Sequence, residues 1–117
     1  MKKKGLMLLT VVAAALSFST SAFAQYSKTI GPKDLQGIIQ LEGSASNSTS
    51  TTATVNFKLY QVTPAGDVFI ERDLIGVAPY SSSTYKVFSN TSLPWGTYKY
   101  EIVARDGVRA SGYISSR

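Results

Sequence analysis

Along residues 93–107, LPWGTYKYEIVARDG, apolar and polar positions alternate with a period of two. Tyr98, Tyr100, Ile102 and Ala104 fall on one side, and Thr97, Lys99, Glu101 and Arg105 on the other, as in a strand with one buried face. Pro94 and Gly96 punctuate the entry, and Asp106-Gly107 favours a tight hairpin turn at the exit. A final strand follows, with Val108, Ala110, Gly112 and Ile114 inward and Arg109, Ser111 and Tyr113 outward.

Equally clean alternation places Ala53, Val55, Phe57 and Leu59 on one face of a strand and Thr54, Asn56, Lys58 and Tyr60 on the other. Residues 63–67, TPAGD, form a turn by composition, so residues 68–74 are expected to return antiparallel. Val68, Ile70 and Leu74 are the expected inner positions there. Phe69, Glu71 and Asp73 are expected outside, and Arg72 breaks the inner face. Tyr85 and Val87 point inward from another short strand, flanked by an edge or crossover segment over residues 75–83. Upstream, Leu35, Gly37, Ile39 and Leu41 outline a first strand over 35–43, with Ile38 outward or at a bulge. The run SASNSTSTT, 44–52, reads as an exposed loop, and residues 25–34, with Gly31-Pro32 at their centre, as an N-terminal arm.

Before these elements lies a segment of different character. Lys2, Lys3 and Lys4 precede an apolar stretch from Leu6 to Leu16, and Ala22-Phe23-Ala24 supplies small residues for cleavage. Residues 1–24 are therefore expected to be a removed signal peptide, the apolar run being short of the roughly 20 residues that span a bilayer. The expected domain is 35–117, preceded by the 25–34 arm, and the product is secreted or extracellular. Three of the twelve Lys and Arg belong to the leader, leaving nine cations against seven acids, too balanced for a nucleic-acid interface. The chain has no cysteine, so disulfides and lipid attachment at a cleavage-site cysteine are excluded, and a lysine-rich leader fits bacterial export.

About six to seven short strands, with turn signals between them, predict an all-β fold: a small antiparallel β-sandwich, with a small barrel as the alternative. The segment Gly96-Thr97-Tyr98-Lys99-Tyr100 resembles the tyrosine corner of immunoglobulin-like and fibronectin type III-like modules. That resemblance implies that the Tyr98 hydroxyl bonds the backbone upstream, and that Tyr100 stands where antibody domains carry a cysteine. It covers about fifteen residues and carries no ligand residues with it.

Candidate chemistry is sparse. Without histidine or cysteine the commonest general base, the thiol nucleophile and the usual zinc ligands are missing, so neither a cofactor, a metal site nor catalysis is expected. Glu71, Asp73, Glu101 and Asp106 are the carboxylates from which a glycosidase pair could be drawn, and they read as surface charge. Ser83 and Lys86 match S-x-x-K, yet on a strand positions three apart face opposite ways. Asn47-Ser48-Thr49 and Asn90-Thr91-Ser92 match a glycosylation acceptor that bacterial export does not use. Outward aromatics are the better lead. If the strands carrying Phe69, Lys99 and Tyr113 share a sheet, as the resemblance to immunoglobulin-like modules implies, then Phe69, Lys99, Val103, Arg109 and Tyr113 form one surface, with Trp95 on the adjoining loop. The reading is a non-catalytic module that binds a protein or polysaccharide at the cell surface. A diffusible effector, or a self-associating fibre subunit that donates its arm to a neighbour, is the alternative.

Overall fold

The computed structural model describes residues 25–117; the expected signal peptide lies outside the described residues. Seven strands account for nearly all of them: β1 (Gln25–Gly37), β2 (Ile39–Asn47), β3 (Ala53–Thr63), β4 (Gly66–Val77), β5 (Ser81–Phe88), β6 (Leu93–Arg105) and β7 (Val108–Ser116). They form two antiparallel sheets, a larger one in the order β1-β6-β3-β4 and a smaller one in the order β5-β2-β7. One hydrophobic core lies between them, built from the alternating positions the sequence singles out. Val55, Phe57, Leu59, Tyr98, Tyr100 and Ile102 come from the larger sheet, and Ile39, Leu41, Tyr85, Val108 and Ile114 from the smaller. The Phe57 and Tyr85 rings meet across the gap at 4.6 Å.

Two glycines let the smaller sheet close. Gly43 and Gly112 are directly opposed in the β2–β7 ladder, and Tyr85 lies across Gly43 to donate from its hydroxyl to Ser111 O at 2.7 Å. A methyl group at Gly43 would collide with the Ser111 carbonyl, and one at Gly112 would lie 2.5 Å from the Tyr85 hydroxyl.

Four expectations need correction. Residues 25–34 are not a free arm: they belong to the thirteen-residue strand β1, which pairs with β6 from Gln25↔Arg105 to Gly37↔Leu93. Pro32 is tolerated because β1 is an edge strand, where a missing N–H breaks no ladder on the open side. The expected strand over 35–43 is two strands in different sheets, divided at Gly37, whose φ of 103° suits a residue without Cβ. The polar run is only partly loop, because β2 continues through Ala45 to Asn47, both buried.

The fourth correction concerns connectivity. Asp106-Gly107 does not close a hairpin within one sheet. The edge of β6 is already occupied by β1, so β7 crosses to pair with β2, Asn47↔Val108 to Ile39↔Ser116. Among the described residues the only hairpin within a sheet is the expected β3–β4 pair, joined through Pro64-Ala65.

Candidate binding face

Cross-strand rows build the outer surface of the larger sheet. Lys99, Tyr60 and Phe69 lie in one row, and Val103, Asn56 and Leu74 in another. Tyr60 and Phe69 pack edge to face with ring centres 5.8 Å apart. Lys99 Nζ stands 5.7 Å from the Tyr60 ring and is ion-paired with Asp67. The Tyr60 hydroxyl donates to Glu101 Oε1 at 3.3 Å. Desolvation, followed by the neighbouring Glu101 charge, raises the Tyr60 phenol above its ordinary range. The hydrogen bond to Asp67 raises Lys99 in the same direction, so both groups keep their protons at neutral pH. Phe69 and Leu74 are 54% and 56% exposed on this face.

Why Leu74 is here at all is a matter of one residue. Tyr60 faces Phe69 but Leu59 faces Glu71, so Ile70 is an extra, unpaired residue in β4. Beyond that bulge the phase of the strand reverses. Glu71 and Asp73 turn to the inner side, opposite the fully buried Leu59 and Phe57, while Arg72 and Leu74 turn out. Of the expected inner set, Ile70 is half-buried and packs against the core, Val68 is 52% exposed near the strand's start, and Leu74 is corrected to the outer face.

Of the five residues expected on one surface, Phe69, Lys99 and Val103 share this face; Trp95, expected on an adjoining loop, lies instead within strand β6, exposed near its start. Arg109 and Tyr113 do not join them. Both are on β7, outside the smaller sheet and on the opposite side of the sandwich. There Tyr113 donates to Glu42 Oε1 at 3.0 Å, and Lys86 pairs with Glu42 Oε2 at 3.5 Å. Arg109 lies 5.8 Å from the Tyr26 ring in a shallow cleft of about 320 Å³ between β1 and β7, beside Lys28. Tyr26 is fixed there by donation to Ala110 O at 2.6 Å.

The other candidates are dispersed. Glu71 and Asp73 are inner, Glu101 is outer and Asp106 is in a turn, so the four carboxylates do not form a pair across a common cleft. Ser83 pairs with Ala45 and Lys86 with Glu42, which puts them on opposite faces. Tyr98 donates to Pro94 O at 2.6 Å, four residues upstream.

Two polar residues that carry much of the loop structure had no expected role. Asn47, 2% exposed, donates to Thr51 O and Val77 O and accepts from the Thr49 amide, holding the β2–β3 loop against the end of β4. Ser89 accepts from the Ile39 amide and donates to Thr91 O. The phase Ile39, Leu41, Gly43, Ala45, Asn47 is the available signal for the first, and Tyr85, Val87, Ser89 for the second. In comparison with known proteins, the chain matches no family model, and no curated protein is significantly similar to it.

Proposed function

We propose that this chain is a non-catalytic interaction module, secreted or retained at a bacterial cell surface, that binds a protein or polysaccharide through the outer face of its larger sheet. The observation that carries this reading is the row of exposed Phe69 beside half-buried Tyr60 and Lys99, with exposed Leu74 nearby: aromatic and aliphatic groups held on strands rather than on mobile loops. Ring orientation is set before a ligand arrives, so little conformational entropy is lost on docking. Asp67 and Glu101, engaged with Lys99 and Tyr60, supply acceptors around the aromatic patch. The leader sequence supports export. The Tyr98 corner and the two-sheet core support an immunoglobulin-like relationship, although the last strand pairs with β2 instead of joining β6 as that resemblance implies.

No comparable feature favours the alternatives. The segment that a fibre subunit would donate is held as β1 within its own chain, and nothing in the fold marks a diffusible effector. The test is quantitative binding of the purified protein to cell-wall polysaccharide and, separately, to secreted proteins of the producing culture. Phe69→Ala is expected to weaken one of the two by roughly tenfold or more. Undiminished binding by Phe69→Ala and Leu74→Ser would refute this face.

A further inference from the structure

Edge strand β1 of the larger sheet lies beside edge strand β7 of the smaller, and the cleft of about 320 Å³ at this seam has a lining of one sign. Tyr26 and Lys28 face the buried Ala104 and Ile102 in the β1–β6 ladder, which puts both on the sandwich-facing side of β1 at the margin of β7. On β7, Arg109 is in one cross-strand row with Ser46 and Ser82. Neighbouring strands are roughly 4.8 Å apart, so that row sets a guanidinium and two hydroxyls along about 10 Å of surface. Lys28 lines the same cleft from β1. Tyr26 ties the two strands together: its hydroxyl donates to Ala110 O at 2.6 Å, and the Arg109 guanidinium stands 5.8 Å from its ring centre. That contact restrains the guanidinium before a ligand arrives.

Among the described residues two cations and no carboxylate line the cleft. Neither Lys28 nor Arg109 is ion-paired there; the two ion pairs among those residues engage Lys86 and Lys99. The serines show the same availability. Ser48, Ser81 and Ser89 donate their hydroxyls to backbone carbonyls. The hydroxyls of Ser44, Ser46, Ser82 and Ser111, which line the cleft, have no protein partner among the described residues. Like charges gathered without a counter-charge repel each other, and a bound anion relieves that repulsion while taking up the hydroxyl donors. We infer that this cleft is a binding site for a tetrahedral oxyanion of the phosphate class, taken either as the free ion or as the ester group of a sugar-sized molecule.

The donor set selects the ligand. A guanidinium fork matches two oxygens of one group, and an ammonium and hydroxyls remain for others. A carboxylate would leave those donors unused, whereas a tetrahedral group offers a third oxygen and, as the free ion, a fourth. The volume is at the small end of ligand pockets, enough for such a group with one sugar ring. Lys28 and Arg109 are both exposed, so binding is weak and falls with salt, with a Kd of roughly 1–10 mM. The cleft is on the far side of the sandwich from Phe69 and Leu74, and the inference does not depend on the outer-face reading.

The test is an amide NMR titration of the isotope-labelled protein with sodium phosphate, the ionic strength being held constant with sodium chloride. Saturable shifts are expected at Lys28, Ser46, Ser82 and Arg109. Lys28→Gln and Arg109→Gln should each raise Kd by roughly fivefold, and Arg109→Lys by less, because it keeps the charge and loses the fork. Both side chains are exposed, so these variants should fold, as their otherwise unchanged spectra would show. Acetate, with two oxygens, should bind several-fold more weakly than phosphate. Glucose 6-phosphate, with glucose as control, separates the two sources: tighter binding than inorganic phosphate assigns the site to a sugar ester, and equal or weaker binding assigns it to the free ion. Shifts that do not saturate, that acetate matches, or that persist when Lys28→Gln and Arg109→Gln are combined overturn the site.

Discussion

The two sheets of this sandwich share a core and differ in what they present outward. The larger shows Phe69 and Leu74, each more than half exposed, beside an aromatic ring and a fixed ammonium group. The smaller shows Ser44, Ser46, Ser82, Thr84 and Ser111 in facing ladder positions, and its one large exposed apolar side chain, Tyr113, has its hydroxyl tied to Glu42. Exposed hydroxyls are well hydrated and lose little by staying in water; exposed phenyl and isobutyl groups gain by being covered. Burial of the Phe69 ring alone is worth on the order of 2 kcal/mol. The contrast is between a face that loses little by staying in water and one that gains by being covered.

The largest expected effect lies within the smaller sheet. Gly43→Ala drives a methyl group into the Ser111 carbonyl, where no side chain can yield, and should cost about 3 kcal/mol or prevent folding. Denaturant unfolding would show it; a neutral outcome would mean that the β2–β7 ladder is looser than described. In the larger sheet, Tyr98→Phe removes the hydrogen bond to Pro94 O and should cost about 1 kcal/mol by the same measurement.

Alkaline titration compares the sheets through their buried phenols. Burial holds the Tyr85 proton up to about 12, against an ordinary value of 10.0. The folded form therefore keeps a proton that the unfolded chain releases. That stability is complete below pH 10 and is lost as pH rises through about 12. Tyr85→Phe should flatten the decline, and an unchanged slope would show that Tyr85 is not responsible. Smallest of all, Phe69→Ala and Tyr113→Ala should each alter folding stability by no more than about 0.5 kcal/mol, since both side chains are exposed. Any difference in their binding then belongs to the face and not to the fold.

Strands with strict alternation were legible from residue order alone. The inward sets of β3, β6 and β7, and Tyr85 and Val87 of β5, are all buried or, at Gly112, closely packed. Errors arose where a single residue reset the count or where pairing was non-local. Ile70 leaves no compositional trace, yet it exchanges Leu74 for Glu71 and Asp73 on the core side. Gly31-Pro32 hides β1, because a proline in an edge strand reads the same as one in a loop. Asp106-Gly107 specifies a tight turn but not which sheet the chain enters afterwards; that depends on β1 having claimed β6, eighty residues away in places. The candidate face was accordingly half legible: Phe69, Lys99 and Val103 were grouped by alternation, while Arg109 and Tyr113 were joined to them through a pairing that does not occur.

The most direct test is a backbone-amide NMR titration of the isotope-labelled protein with whichever material it binds, read as a map of perturbed residues. The account predicts that perturbations concentrate at Lys58, Tyr60, Phe69, Leu74 and Lys99 on the larger sheet. A map centred instead on Ser44, Thr84 and Tyr113 would contradict it, by showing that the hydroxyl-rich face is the one that meets the partner.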